Sequence, residues 1–298
     1  MKELKWMKGI LYEVAFWNAT YKRKASREWI LNDAKLNHEI ELHNFDAAAF
    51  LRERMLVEEN PLVLDIGCGM TYFTGNLLDG KPINMQFVDP LAHFYNDILE
   101  KYKVTKAPRI TFGMMEYLSA FYPEKDVSLA IIQNALDHSE NPIKGIIQSL
   151  AVLKPAGILY LKHYPNEAEK EQYRGFHQFN ITIEDGCYII WNKDNRVNVN
   201  ELVKDFAEVE VSTYDNPDEI IAVIRKTAEV SDSLLTPLED VRKLSTQLML
   251  HAKETHSFRN MASYHTKKPV FNMGQYMMRF VELDNREKIK KVLRKFKK

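Results

Sequence analysis

Hydrophobic positions divide this chain of 298 residues into three regions. Up to about residue 58, Trp6, Ile10, Val14 and Trp17 recur near the helical period, and Phe45, Phe50 and Leu51 belong to a second helical stretch. No glycine follows Gly9 there, and no proline precedes Pro61. From Pro61 to about Lys226 short apolar runs alternate with helical patterns, as in a parallel sheet covered on both faces. Pro61–Ile66, Met85–Asp89, Arg109–Phe112, Val127–Gln133 and Ile158–His163 read as five strands. Between the last two, Asn141 as N-cap and Pro142 at the first helical position open a helix. Its Ile143, Ile146, Ile147 and Leu150 keep helical spacing, and Lys154-Pro155-Ala156-Gly157 ends it.

The pattern then lapses. Residues 164–196 are polar, with a hairpin expected around Asp185-Gly186 that joins Ile181–Ile183 to Tyr188–Trp191. A helix over 199–206 and strands over 209–213 and 220–224 complete the sheet, and the remainder reads as helical. The expectation is an α/β fold: a seven-stranded, mostly parallel sheet with helices on both faces and helical additions at both ends. Residues 1–58 would form an N-terminal helical lid, with Phe16, Trp17 and Tyr21 facing the site. Residues 59–226 would form the core, with an insertion at about 164–197, and residues 227–298 a C-terminal extension.

Composition narrows the function classes. Apolar residues make up 45% and charged residues 28%, ordinary for a globular enzyme. Two cysteines, Cys68 and Cys187, give no disulfide framework and fit a reducing compartment. Forty-one basic residues balance 41 acidic ones, so no nucleic-acid partner is expected. The apolar stretch Gly9–Trp17 is broken by Glu13 and is not read as a signal peptide, and no run approaches the roughly 20 residues that span a bilayer. A cytoplasmic location is expected.

The sharpest local signal is Leu64-Asp65-Ile66-Gly67-Cys68-Gly69 at the end of a buried strand. Glycines there let the backbone turn tightly and approach a ligand. It is not the dinucleotide fingerprint, because Tyr72 stands in place of the last glycine. The segment resembles motif I of the class I S-adenosylmethionine-dependent methyltransferases, with Thr71 where many members have a third glycine. Asp89 ends the second strand 24 residues after Asp65, placed to accept ribose hydroxyls. Gly113-Met114-Met115-Glu116 stands where relatives often read Gly-Asp-Ala-Glu beside the adenine. Lys154-Pro155-Ala156-Gly157 matches the family's Lys-Pro-Gly-Gly turn. The resemblance spans Leu62 to about Lys226 and implies a Rossmann-like sheet and S-adenosyl-L-methionine as cofactor. It also implies a cofactor site of Asp65, Gly67, Cys68, Gly69, Asp89, Pro90, Met115, Glu116 and Asn134.

Ligands of open α/β sheets sit at the carboxyl ends of the strands, so the acceptor should meet residues following the fourth and fifth. Removing the proton of an alcohol acceptor suits imidazole at neutral pH. His138 is the first candidate for the base, His163 the second, and Asp137 is placed to orient His138. His163 and Glu167 could form part of a metal site, but no compact ligand spacing appears and no metal is expected.

Asn166, Glu167, Arg174, His177 and Gln178 supply paired donors and acceptors suited to an acceptor's hydroxyls, with Tyr164, Tyr173, Phe176 and Trp191 for ring faces. This block resembles uncharacterised methyltransferases encoded with bacterial surface-polysaccharide genes, which implies O-methylation of a sugar hydroxyl of a small-molecule or glycan acceptor. Methylation of another small molecule or of RNA, and a non-catalytic cofactor-binding partner module, are the alternatives. Between Arg286 and Lys298 stand eight basic residues and one acid, with Ile289, Val292, Leu293 and Phe296 on one helical stripe. That tail is expected to contact the inner face of a membrane or a glycosyltransferase.

Overall fold

Uninterrupted apolar runs become the buried centre of the sheet. In the computed structural model β1 (Leu62–Ile66) is buried at all five positions, and β6 (Val127–Gln133) at all but its last. The structure describes residues 3–23, 28, 40–42, 44–70, 74–105, 107–173, 175–213 and 219–235. Arg174 and the amphipathic basic tail lie outside the described residues, as does the C-terminal extension beyond 235.

Helix α1 (Glu3–Lys22) and helix α2 (Phe45–Met55) precede β1. A two-residue hairpin, β2 (Leu77–Leu78) and β3 (Lys81–Pro82), separates β1 from β4 (Met85–Asp89). Helix α3 (Ala92–Lys101), β5 (Ile110–Phe112) and the short α4 (Leu118–Phe121) lead to β6. Helix α5 (Pro142–Val152) and β7 (Leu153–His163) follow. Then come α6 (Glu167–Lys170), β8 (Asn180–Glu184), β9 (Cys187–Trp191), β10 (Arg196–Asn198) and α7 (Val199–Val203). Strands β11 (Ala207–Ser212) and β12 (Ile220–Lys226) complete the sheet.

The seven strands run in the order β11-β12-β7-β6-β1-β4-β5. β5, β4, β1, β6 and β7 are parallel, while β12 is antiparallel to both its neighbours. The chain adds strands on one side of β1 and then crosses to the other with β6. The carboxyl ends of β1 and β6 therefore flank the topological switch point, where open α/β sheets bind ligands.

Side-chain alternation distributes each strand between two layers. Leu64, Ile66, Leu159 and Leu161 pack with Ile146, Ile147 and Leu150 of α5 on one face. Val63, Leu129, Ile158 and Tyr160 pack with Ala47, Phe50 and Leu51 of α2 on the other. The N-terminus of α5 is held as its sequence requires: the Asn141 side chain accepts from the Lys144 N–H at 3.1 Å, and Pro142 needs no partner there.

Three local details differ from the sequence reading, and the expected hairpin forms. Strand pairing in β7 begins at Leu153 and skips to Ile158, so Lys154–Gly157 bulges from the strand instead of preceding it. Ala156 takes the left-handed backbone conformation there, with φ 59°. The helix expected over 199–206 stops at Val203. The hairpin at Asp185-Gly186 forms with both residues at positive φ, the conformation of a type I′ turn. Strand β10 joins it, making a separate three-stranded sheet. Among the described residues no helix is long and apolar enough to cross a membrane.

Candidate active site

A cleft of about 240 Å³ opens at the switch point. All nine positions assigned to the cofactor by resemblance line it: Asp65, Gly67, Cys68, Gly69, Asp89, Pro90, Met115, Glu116 and Asn134. The turn after β1 is built by two left-handed glycines, with φ of 71° at Gly67 and 61° at Gly69. A Cβ on Gly67 would stand 2.4 Å from the Ala135 Cβ, so this turn is packed against the loop after β6. A Cβ on Gly69 would meet no atom of the described residues within 4 Å. Asp89 fastens the two loops together: its Oδ2 accepts from the Gly69 N–H at 3.1 Å and its Oδ1 from the Leu91 N–H at 2.7 Å. A carboxylate has about four lone-pair sites, so both oxygens keep capacity for a ligand hydroxyl.

Three carboxyls are buried along this wall. Burial raises Asp65, Asp89 and Glu116 each to about 7, against the pull of their hydrogen bonds. A bound cation would restore their ionised forms. Glu116 has a second task, since its Oε1 accepts from the N–H groups of Glu140 and Asn141 and anchors the start of α5. Met115 packs beneath that helix, where a Cβ on Gly145 would come within 2.8 Å of its sulfur. Asn134 adopts φ 48°, a strained conformation for a residue with a side chain. Its Oδ1 and the Oε1 of Gln133, which also lines the cleft, are buried without hydrogen-bond partners.

Helix α1 closes one side through Trp6, Glu13 and Trp17. Sequence reasoning placed Phe16, Trp17 and Tyr21 there. Trp17 is in the cleft, but Phe16 is 55% exposed and Tyr21 is fully buried with its ring near Tyr102. The helical period explains the difference, because Trp6, Glu13 and Trp17 lie on one face while Phe16 lies off it. The Trp17 indole donates to Glu13 at 2.7 Å, and the Trp6 indole donates to the His138 carbonyl at 2.8 Å. Gly9 allows the close approach, since a Cβ there would enter the Phe176 ring at 2.5 Å.

The acceptor-side candidates separate. His138 lines the cleft. His163 does not: it is 1% exposed, neither ring nitrogen has a hydrogen-bond partner, and burial lowers it to about 4. It ends β7 buried, outside the residues that line the cleft. Asp137 is buried beside His138. Burial opposes its ionisation, but His138, His177 and His163 outweigh that and hold the carboxyl below its ordinary range.

His177, expected to bind substrate, instead joins this group. Its Nδ1 lies 2.8 Å from Asp137 Oδ2 and 3.1 Å from His138 Nε2. Burial lowers its basicity, yet the Asp137 hydrogen bond and nearby charges leave it raised. Gln178 is used within its own loop, donating to the carbonyls of Tyr173 and Gly175. Asn166 opens α6 in the left-handed conformation, and Glu167 is partly buried beside it. None of Asn166, Glu167, His177 and Gln178 lines the cleft. Phe176 does, 5.1 Å from the Trp6 ring centroid.

The described strands form a Rossmann-like, mostly parallel seven-stranded sheet with helices packed on both faces. No protein-family model matches the chain, and no curated protein sequence matches it. Solved structures do. An S-adenosylmethionine-dependent methyltransferase from Clostridium acetobutylicum is 12% identical, with 70% of this chain and 99% of that one covered, at a TM-score of 0.40. The CurJ carbon methyltransferase is 14% identical, covering 70% of this chain and 59% of that one, at 0.44. An amino pentose methyltransferase from Micromonospora echinaspora is 12% identical over 61% and 91%, at 0.36.

Proposed function

We propose that the protein is an S-adenosylmethionine-dependent methyltransferase that O-methylates a sugar hydroxyl during bacterial surface-glycan synthesis. The observation that carries this reading is a single cleft with two chemically different ends. One end has the glycine turn, the buried Asp65 and Asp89 and the unpartnered Gln133 and Asn134 oxygens. The other has His138, backed by Asp137 and His177.

These residues fit the cofactor. Gly69 leaves space where a side chain would stand, the carboxyls suit a cation, and the amide oxygens await donors. When bound, S-adenosylmethionine supplies an electrophilic methyl on a sulfonium, whose sulfur keeps the bonding pair as the acceptor oxygen forms the new bond. Asp89 keeps the glycine turn closed, and Trp6, Glu13 and Trp17 exclude water from one side. The acceptor's proton departs at the His138 end. Trp6 and Phe176, beside His138, supply ring faces on which a sugar can stack.

A screen of sugar nucleotides and oligosaccharides for S-adenosylhomocysteine formation tests the proposal. Turnover with a sugar is the expected result. Turnover only with RNA or a non-sugar acceptor would overturn the glycan reading, and cofactor binding without turnover on any acceptor would favour a non-catalytic role.

The buried carboxyls give a second test. Below pH 7 Asp65 and Asp89 are protonated in the ligand-free protein, so binding a cationic cofactor requires them to lose protons. Affinity for S-adenosylmethionine should therefore rise with pH. Between pH 6 and 8 the gain is roughly tenfold if one carboxyl must ionise and roughly a hundredfold if both must. The linkage for folding has the opposite sign. Carboxyls raised in the folded state bind protons that the unfolded chain has released, so the ligand-free protein loses stability from about pH 4 to 7. Calorimetric titrations at pH 6, 7 and 8 with flat affinity would remove these carboxyls from the cofactor site.

A further inference from the structure

We propose that Asp137, His138 and His177 bind a divalent first-row transition-metal ion. This deepens the methyltransferase reading by giving the acceptor end a Lewis acid, and its role, though not the site itself, rests on that reading. The three residues are the group among the described residues whose side chains could share one ion. Asp137 Oδ2, His138 Nε2 and His177 Nδ1 form a triangle with edges of 2.8, 3.1 and 3.5 Å. Ligands at about 2.0–2.1 Å from one ion stand about 2.9 Å apart at right angles and about 3.3 Å apart in a tetrahedron. The observed edges bracket these spacings, so all three atoms can reach one ion placed slightly off their plane.

A second observation concerns Asp137. Its side chain is 3% exposed, and Oδ1 is buried with no hydrogen-bond partner, although buried carboxylate oxygens are ordinarily satisfied. Without an ion, a proton on His177 Nδ1 would be shared between Asp137 Oδ2 and His138 Nε2, and one on His138 Nε2 would have only the longer 3.5 Å contact to Asp137 Oδ2 if His177 Nδ1 is also protonated. An ion satisfies all three ligand atoms together and leaves Asp137 Oδ1 available as a further ligand. Glu167 adds to the negative potential near His177 and Asp137.

Ligand type selects the metal. Two imidazoles and one carboxylate suit ions from manganese to zinc better than magnesium or calcium, which prefer oxygen-rich sites. The three residues also leave positions open, and His138 borders the cleft. An acceptor hydroxyl reaching the ion would be polarised and would release its proton to water, so the histidines act here as ligands. The signal was hard to find in the sequence because His177 follows His138 by 39 residues. No short-range ligand spacing exists; α6 and the loop after it return the chain to the end of β6, where the Gln178 N–H donates to the Asp137 carbonyl at 3.3 Å.

Titration of the chelator-stripped full-length protein with Co²⁺, followed by visible absorption and calorimetry, tests the site. The expected result is one Co²⁺ per chain with ligand-field bands, displaced by Zn²⁺ but not by Mg²⁺. His177→Ala and Asp137→Asn should each weaken this binding by more than about 100-fold, the upper range for losing even a group that only supports a ligand. His93→Ala, at an exposed histidine on α3, should leave it unchanged. Circular dichroism would show which variants fold, and Asp137→Asn preserves shape if His177→Ala does not fold. Absence of stoichiometric binding, or binding unaffected in a folded His177→Ala or Asp137→Asn variant, overturns the metal site. S-adenosylhomocysteine affinity, measured on the same stripped protein, reports separately on the methyltransferase reading.

Discussion

Gly69→Val is expected to yield a folded protein that no longer binds S-adenosylhomocysteine. Gly69 lines the cleft, and a Cβ built there meets no atom of the described residues within 4 Å. The valine side chain would thus occupy ligand space and not displace packed neighbours. Its cost to folding is mainly the left-handed backbone, φ 61°, worth about 1–2 kcal/mol for a residue with a side chain. In a chain of this size that lowers the melting temperature by only a few degrees. Gly67→Val should behave differently. Its Cβ would stand 2.4 Å from the Ala135 Cβ at φ 71°, so binding and stability are lost together. Calorimetry with S-adenosylhomocysteine, beside a thermal melt, separates the two. A folded Gly69→Val protein with undiminished affinity would show that the ligand does not approach this turn.

The glycine-turn end of the cleft was readable because its information is local. β1, β4 and β6 are short apolar runs, and the cleft-lining positions stand at or just after their carboxyl ends in sequence. Asp65, Gly67 and Gly69 share one turn, while Asp89 closes β4 and Asn134 follows β6. Strand parallelism then brings those ends together without further instruction from the chain. Glu116 shows where this reading stops. Its place beside a family motif suggested the adenine, but its anchoring of the Glu140 and Asn141 N–H groups depends on a helix that begins 26 residues later.

The His138 end of the cleft depends on long-range packing. Trp6 reaches the His138 carbonyl across 132 residues, and Gly9 matters because Phe176 rests against it. Neither relation has a periodic signature. Residues 164–180 are rich in polar groups, which suggested a surface facing substrate. In the fold, Gln178 and Asn180 satisfy backbone groups of their own segment, while His177 turns toward Asp137. β10 was missed for a simpler reason: three residues are too few to display alternation, and its pairing with β9 defines it.

His138→Ala and His177→Ala should each reduce turnover by about 10²–10⁴, while leaving S-adenosylhomocysteine affinity within a few-fold of the parent protein. His138 borders the cleft at its acceptor end, whereas the glycine turn and Asp89 that would hold the cofactor lie on other loops. His177 touches His138 and Asp137 and does not line the cleft, so its effect should appear in kcat, with acceptor KM changing as well only if the acceptor reaches an ion held there. His163→Ala provides the contrast. Its ring is buried, lacks partners and has no access to the cleft, so truncation should chiefly lower stability through the cavity left behind. Steady-state rates together with thermal melts distinguish these outcomes. Near-parental turnover in both His138→Ala and His177→Ala would place the loss of the acceptor's proton elsewhere. A large kcat loss confined to His163→Ala would move the chemistry behind β7, against the geometry of the cleft.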